Sequence, residues 1–161
     1  MRSTENSKTE SSELIQLVNF RLSTEEFGID ILIVQEIMRM RQLTKLPNLP
    51  DFIAGIVNIR GKIIPVVNLR SKMGMPEKQY DKETRIIVVE VAGSTTGFVV
   101  DAVTEVLRIS SNITEATPGL VAGINSEFIK SVAKLDERIL ILIDLEKVIS
   151  TSEKIKLQEV A

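Results

Sequence analysis

The residues of this chain best suited to chemistry are a few carboxylates and one arginine. Asp30 and Asp101 follow apolar residues in similar places in the two halves of the sequence. A pair of carboxylates is the basic equipment of general acid–base catalysis. A cap or turn role is favoured for both, because no nucleophile, general base or metal ligand accompanies them.

Glu36 and Arg60 form the second candidate pair. Glu36 lies in the apolar stretch "ILIVQEIMRM", and Arg60 lies at the tip of the hairpin "GIVNIRGKIIPVVNL", residues 55–69. Glu36 is either an ordinary outward-facing carboxylate or the partner that fixes Arg60 for recognition of another molecule. An exposed ion pair adds little to stability, so its value would be the orientation of the guanidinium group.

Composition argues against an enzyme. The chain has no Cys and no His, which removes thiolate nucleophiles, disulfides, the commonest general base and the commonest metal ligands. The sequence also lacks a Gly-rich phosphate loop and a Gly-x-Ser-x-Gly nucleophile elbow. We therefore expect a binding module without catalytic residues, metal or cofactor.

Charge and hydropathy limit the kinds of partner that we expect. The formal net charge is −2 and no dense Lys/Arg block occurs, so we expect no nucleic-acid partner. Residues 1–12 are polar and predict a disordered tail instead of a signal peptide. No apolar run approaches the ~20 residues that span a bilayer, so we expect a cytoplasmic protein without direct membrane insertion.

The elements that would position these residues are short strands, and they occur twice. Two hairpins align along the chain, and so do the strands that precede them. The identical pairs in the hairpins are Phe52 with Phe128, Ile53 with Ile129, Ile63 with Ile139 and Leu69 with Leu145. The alignment indicates a β unit used twice, although any two apolar hairpins can be aligned to some degree.

A unit of about 65 residues with about five short strands is the size of a small barrel. Each unit alone would be marginally stable, so the two should pack against each other as one body. We predict one domain over 13–150, with subdomains near 14–80 and 84–150 between which strands can interleave, and a C-terminal tail over 151–161.

Some apolar residues exceed what two small cores need. They are Val34, Met38, Ile56, Val99 and Val106. Core positions are the default for each of them. Any that face outward would mark a protein-docking surface.

Four segments resemble the CheW family, the coupling proteins of bacterial chemotaxis. They are "FGIDILIVQEI", "IAGIVNIRGKIIPVVNLR", "GFVVDAVTEVL" and "RILILIDLEKVI", and the resemblance runs from about residue 14 to 149. It implies an all-β fold of two five-stranded SH3-like β-barrel subdomains packed together, with short helical segments. The related CheV proteins add a receiver domain, whereas the length here suits a stand-alone coupling protein.

The resemblance also implies a function. Members of the family are non-catalytic adaptors that couple the cytoplasmic tips of chemoreceptors to the regulatory domain of the histidine kinase CheA. The implied protein is a monomer when free and is recruited to membrane-associated receptor arrays. A paralogous adaptor for another signalling kinase, such as one that governs surface motility, remains an alternative.

The resemblance also implies site residues, because in the family the positions that match these segments cluster around the surfaces that bind partners. We assign receptor binding to Val34, Arg60 and Val106, and kinase binding to Glu36 and Gly55. Glu36 and Arg60 would form the polar pair at the centre of this surface.

Overall fold

The computed structural model describes residues 13–91, 93–115 and 128–160. The predicted tail over 1–12 lies outside these residues. The described chain is built mainly from strands. In chain order they are β1 Leu14–Leu22, β2 Glu25–Asp30, β3 Val34–Arg39, β4 Ile53–Ile59, β5 Lys62–Asn68, β6 Arg85–Val91, β7 Ser94–Val100, β8 Ala102–Ser110, β9 Thr114–Glu115, β10 Ile129–Lys134 and β11 Ile139–Ile143.

The strands form two sheets with the same internal order. One sheet runs β3-β6-β7-β5-β4, and the other runs β8-β1-β2-β11-β10 with β9 added beyond β10. The predicted repeat is therefore visible in the topology, because β3 takes the place of β8 and the hairpin β4–β5 takes the place of β10–β11. We call the first sheet with its enclosed core barrel B, and the second barrel A.

Both sheets are closed by the continuation of their first strand. In barrel A, β8 bends through the 3₁₀ turn Ser111–Ile113, and β9 then pairs with β10. In barrel B, the chain after β3 returns so that Thr44 and Ile56 exchange two backbone hydrogen bonds of 2.9 and 2.8 Å. The two predicted β subdomains are confirmed, and the sixth strand of barrel A is this closing segment.

Strands interleave between the subdomains predicted near 14–80 and 84–150. Hairpin β1–β2 belongs to barrel A with β8 and β11, while hairpin β6–β7 belongs to barrel B with β3 and β5. Each half of the chain thus contributes its leading hairpin to the sheet of the other half. This exchange makes the domain a single unit in which neither barrel is continuous in sequence.

The strand sequences reflect burial on both faces. In β6, Ile86 and Val88 point into a cluster enclosed by barrel B, whereas Ile87 and Val89 join a larger cluster shared by both sheets. A strand with two buried faces reads as a continuous apolar run, as "RIIVVEV" does. The shared cluster draws on β1 and β2 of barrel A and on β5, β6 and β7 of barrel B.

The helices are short and lie at strand ends. They are α1 Leu69–Lys72, α2 Leu145–Val148 and α3 Thr151–Val160. Within the predicted C-terminal tail over 151–161, residues 151–160 are helical. Glu153 anchors this helix, because its carboxylate accepts a 2.9 Å hydrogen bond from Ser150 N and pairs with Lys72 Nζ at 2.7 Å.

The hairpin exchange predicts how fragments behave. Residues 13–80 and 84–160, expressed separately, should each fail to give a cooperative unfolding transition, because each lacks the hairpin that completes its sheet. Mixing the two fragments should restore the transition. The measurement is urea denaturation followed by circular dichroism. A folded 13–80 fragment, with β1–β2 in the place of β6–β7, would contradict this expectation.

Candidate protein-docking surface

Arg60 lies in a tight turn that an arginine rarely occupies. Ile59 and Lys62 are the last paired residues of β4 and β5, so Arg60 and Gly61 form a two-residue loop. Their φ angles are 50° and 83°, and positive values at both positions are typical of a type I′ turn. Asn-Gly suits this turn best, whereas the left-handed conformation costs other L-residues roughly 1–2 kcal/mol.

The turn places Arg60 beside Glu36 of β3. Arg60 Nη2 lies 2.5 Å from Glu36 Oε1, so the structure contains the ion pair considered from the sequence. The arginine side chain remains 77% exposed and the glutamate 28%. A strained backbone that displays an exposed guanidinium group is a pattern associated with functional sites.

A cleft of about 250 Å³ lies beneath this ion pair. Ile59, Ile64 and Val88, which line it, also belong to the core enclosed by barrel B, so the cleft is the open end of that barrel. Exposed apolar side chains lie within three residues of each member of the pair along the chain. They are Ile37 on β3 and Ile63 on β5, each 39% exposed. We call Glu36, Ile37, Arg60 and Ile63 the barrel-B mouth.

The ion pair makes the titration of Glu36 a test of this geometry. The hydrogen bond from Arg60 lowers the pKa of Glu36 below its ordinary value, and the charges of Arg60 and Arg41 act in the same direction. A carboxylate with a lowered pKa in the folded state stabilises that state at neutral pH. We expect this contribution to vanish as the pH falls through the lowered pKa. Carbon-detected NMR titration should show the Glu36 pKa return towards its ordinary value in Arg60→Asn; an unchanged pKa would mean that the pair does not persist in solution.

Gly55 is buried and makes barrel closure possible. A Cβ atom at this position would lie 2.8 Å from Leu43 Cβ and 3.0 Å from the carbonyl oxygen of Thr44. The closing bridge between Thr44 and Ile56 brings these two chains together. Gly55 therefore shapes the surface through the segment packed on it, and presents no side chain to a partner.

Gly55→Ala should open the barrel at this bridge. The contact is with backbone and a Cβ atom, which cannot move aside cheaply, so we expect a loss of about 1–3 kcal/mol in unfolding free energy. Amide hydrogen exchange should rise at Ile56, whose N–H donates to Thr44 O. Gly61→Ala is the contrasting variant, because nothing lies within 4 Å of its Cβ and only its positive φ opposes the change. Equal protection of the Ile56 amide in Gly55→Ala and native protein would refute this account.

Val34 and Val106 border the core shared by the two barrels. Val106 lies on edge strand β8 opposite Val18, and Val34 lies on edge strand β3 opposite Val89. Val18 and Val89 belong to the shared core. Val106 is 51% exposed, whereas Val34 is partly buried against that core. Both candidate receptor residues thus lie where the shared core reaches the surface.

Two exposed leucines were not predicted from the sequence. Leu32, 88% exposed, lies in the 3₁₀ turn that links β2 of barrel A to β3 of barrel B, and Leu14, 60% exposed, starts β1. The signal was present in "ILI", because a single helical turn cannot bury three consecutive apolar side chains. We call Leu32, Val34 and Val106 the intersheet rim. Of the other apolar candidates, Val99 is core, and Met38 and Ile56 are half-buried.

The second copy of the β unit carries a related but different ion pair. Glu105, which aligns with Glu36, lies 3.0 Å from Arg138 Nη2, and Arg138 Nη1 also lies 3.1 Å from Glu26 Oε1. Arg138 lies between the β10–β11 turn and the first residue of β11, so this turn holds no arginine with a positive φ angle. Two carboxylates hold Arg138, whereas one holds Arg60, so the two barrel ends differ as docking surfaces.

The carboxylates first considered for catalysis have structural roles. Asp30 caps the 3₁₀ turn by accepting a 2.9 Å hydrogen bond from Leu32 N. Asp101 accepts from Ser23 N at 2.7 Å and pairs with Arg70 Nη1 at 2.5 Å. Within residues 13–91, 93–115 and 128–160, no three Asp or Glu side chains converge to hold a metal ion. The helices of this described part are also too short or too polar to cross a membrane.

Comparison with known proteins agrees with this architecture. Residues 16–153 match the family model described as CheW-like domain. The chain is 39% identical over 142 residues to "Chemotaxis protein CheW" of Klebsiella aerogenes, covering 88% of this chain and 86% of the relative. It is 30% identical over 151 residues to the protein of the same name from Treponema pallidum, covering 91% and 89%.

A solved structure matches as well. The scaffolding protein TtCheW from Thermoanaerobacter tengcongensis superposes with a TM-score of 0.79 at 38% sequence identity, covering 88% of this chain and 91% of that one. The match extends over both barrels, and the family model spans the exchanged hairpins and the hairpin turn that bears Arg60. On fold, sequence and extent together, this chain belongs to the CheW-like family.

Proposed function

We propose that this chain bridges the cytoplasmic tips of bacterial chemoreceptors and the regulatory domain of the histidine kinase CheA. Its role as a chemotaxis coupling adaptor follows from its family and from relatives named for chemotaxis. A paralogous adaptor for another kinase system is not favoured by those relatives. The observation that carries the proposal is the strained, exposed Arg60, which Glu36 holds at the open end of barrel B.

The intersheet rim suits the helical tip of a receptor. Leu32, on the turn that links the two barrels, and Val106 expose apolar area, and Val34 is partly buried against the shared core. An amphipathic helix lays its apolar face into such a surface. Arg60 adds a charged, directional contact that apolar packing does not provide.

The barrel-B mouth suits a globular partner such as the kinase regulatory domain. Ile37 and Ile63 supply apolar contacts, and Glu36 supplies a carboxylate that one arginine only partly covers. Gly55 keeps barrel B closed through the segment at Leu43 and Thr44. The ion pair joins the kinase candidate Glu36 to the receptor candidate Arg60, so in this proposal both partners make contact at the barrel-B mouth.

The mechanism is recognition by a rigid body, without catalysis. The shared core ties the barrels together, so partners bound at the two surfaces are held in a fixed relative geometry. Receptor state controls the kinase only if the receptor contacts the adaptor differently in its two states. In this proposal the chain is a cytoplasmic monomer when free and joins membrane-associated receptor arrays through these partners.

Calorimetry tests the proposal. The native chain is titrated with a CheA regulatory domain and, separately, with a receptor cytoplasmic fragment. Val106→Asp should weaken receptor binding at least about tenfold and leave kinase binding unchanged, since a charge would be desolvated at the intersheet rim. Ile155→Asp is the matched control, because Ile155 is 55% exposed on α3 outside both surfaces. Failure of the native chain to bind either partner would overturn the proposal.

A further inference from the structure

A larger cavity, of about 510 Å³, is lined by residues other than those of the two docking surfaces. Its buried walls are apolar and come from both barrels. They comprise Leu17 of β1, Val91 of β6, Leu142 and Ile143 of β11, and Leu145 of α2. The volume lies in the range of ordinary ligand pockets. We call this cavity the acidic cleft, for the reason given next.

Its rim carries four carboxylates and one cation. The acids are Asp30, Glu90, Asp144 and Glu146, and the cation is Lys130. Elsewhere, carboxylates such as Glu36, Asp101 and Glu153 have an arginine or lysine within 4.0 Å. Among the residues that the structure describes, none of the four rim acids, nor Lys130, takes part in an ion pair; the described pairs are those of Glu26, Glu36, Asp81, Glu83, Asp101, Glu105, Glu115 and Glu153.

Neutral donors occupy some of these carboxylates without balancing their charge. Asp30 accepts from Leu32 N at 2.9 Å, Asp144 from Glu146 N at 3.0 Å, and Glu90 from Gln35 Nε2 at 3.3 Å. The rim therefore holds an excess of three negative charges around an apolar interior. Charge complementarity favours an occupant with cationic groups outside and an apolar group inside.

The spread of the acids decides the kind of occupant. They come from the end of β2, from β6 and from the β11–α2 junction, and in the described part of the chain no three of them converge on one metal position. One compact cation cannot face all of them, whereas a polypeptide supplies cations at intervals along its length. We propose that the acidic cleft binds a peptide segment of a partner protein in which apolar side chains alternate with Lys or Arg.

This site lies beyond the receptor and kinase surfaces proposed above. The cleft shares no residue with the barrel-B mouth or the intersheet rim, although Asp30 and Ile33 flank Leu32. Its occupant would be a third contact, made by a basic segment of one of those partners or of another protein. Because the residues are distinct, binding at the cleft can fail while receptor and kinase binding persist.

The probe is the synthetic peptide acetyl-Gly-Lys-Leu-Arg-Leu-Lys-Gly-amide, labelled for fluorescence anisotropy. The test variant is Glu90→Gln/Glu146→Gln, which removes two rim charges. The matched control is Asp136→Asn/Glu137→Gln, which removes two charges from the β10–β11 turn outside the cleft. We expect the first variant to weaken peptide binding at least about tenfold and the control to leave it unchanged. Amide chemical shifts should move at Gly28 and Leu142, which line the cleft.

Further probes separate the alternatives. A peptide with Ser in place of both Leu should bind at least about tenfold more weakly; equal binding would mean a diffuse charge effect and would overturn the proposal. Equal affinity for both double variants, or shifts confined to other residues, would overturn it as well. Tetrapropylammonium chloride is the probe for a small organic cation. If it shifts the Gly28 and Leu142 amides and the peptide does not, the cleft is a site for small organic cations and the peptide proposal is overturned. Urea denaturation of each variant confirms folding, and the receptor and kinase titrations, run on the same samples, report on the proposed function separately.

Discussion

Arg60→Asn is expected to weaken partner binding at least about tenfold while leaving the protein as stable as the native chain, or more stable. Asn adopts the left-handed conformation readily, and Asn-Gly is the preferred loop of a type I′ hairpin. The exposed ion pair that is lost contributes little to stability. Most single changes at a docking residue leave stability unchanged or lower it, so a gain here would show that the turn retains arginine for recognition.

The measurements are calorimetric titration with the receptor fragment and the kinase domain, and urea denaturation of the free variant. Lys62→Gln is the matched control, because it removes a positive charge from the residue that follows the same turn. It should leave receptor binding within about twofold of native. If Arg60→Asn binds both partners as tightly as the native chain, Arg60 is only the tip of a hairpin.

Asp101→Ala is expected to lower the free energy of unfolding by about 3–5 kcal/mol, the cost of leaving a buried charge without its partner. The carboxylate is 7% exposed, and the Arg70 side chain paired with it is 11% exposed. Asp101 also accepts from Ser23 N in the β1–β2 turn, where Ser23 has a φ angle of 55°. One carboxylate therefore links a hairpin of barrel A to α1 at the end of barrel B.

Denaturant unfolding of three variants apportions this effect. Asp101→Asn keeps an acceptor for Ser23 N and loses only the charge, so it should be less damaging than Asp101→Ala. Arg70→Met/Asp101→Ala removes both charges and should recover part of the loss. A loss below about 1 kcal/mol in Asp101→Ala would mean that water replaces the carboxylate at no cost, which would refute the linking role.

The local features of this fold follow from short stretches of sequence. The alternation of Val18 and Phe20 with polar neighbours predicts strand β1, and the cap role favoured for Asp30 is seen at the 3₁₀ turn. Both depend on contacts between residues close in the chain, where side-chain type and spacing decide the outcome. The repeat was also detectable, because equivalent strands meet equivalent environments and so keep similar residues.

The exchange of hairpins was not encoded in any local pattern. Backbone hydrogen bonds are alike in every strand. Judged by these bonds alone, hairpin β1–β2 could pair equally well with β3 and β5 or with β8 and β11. Side chains far apart in sequence make the choice, as where Asp101 binds Ser23 and Arg70. The helical state of residues 151–160 depends in the same way on Lys72, which lies in the other half of the chain.

By itself, the sequence determined an all-β protein with a repeated unit, no His or Cys chemistry, and a hairpin that carries an arginine where glycine or asparagine would fit better. The tertiary structure decided which hairpin completes which barrel, that Gly55 is needed because Leu43 and Thr44 cross it, and that Leu32 faces solvent. The physical reason is the separation along the chain between the residues that interact. Turn chemistry and alternation act between neighbours, whereas closure, exposure and the convergence of charges depend on residues that only folding brings together.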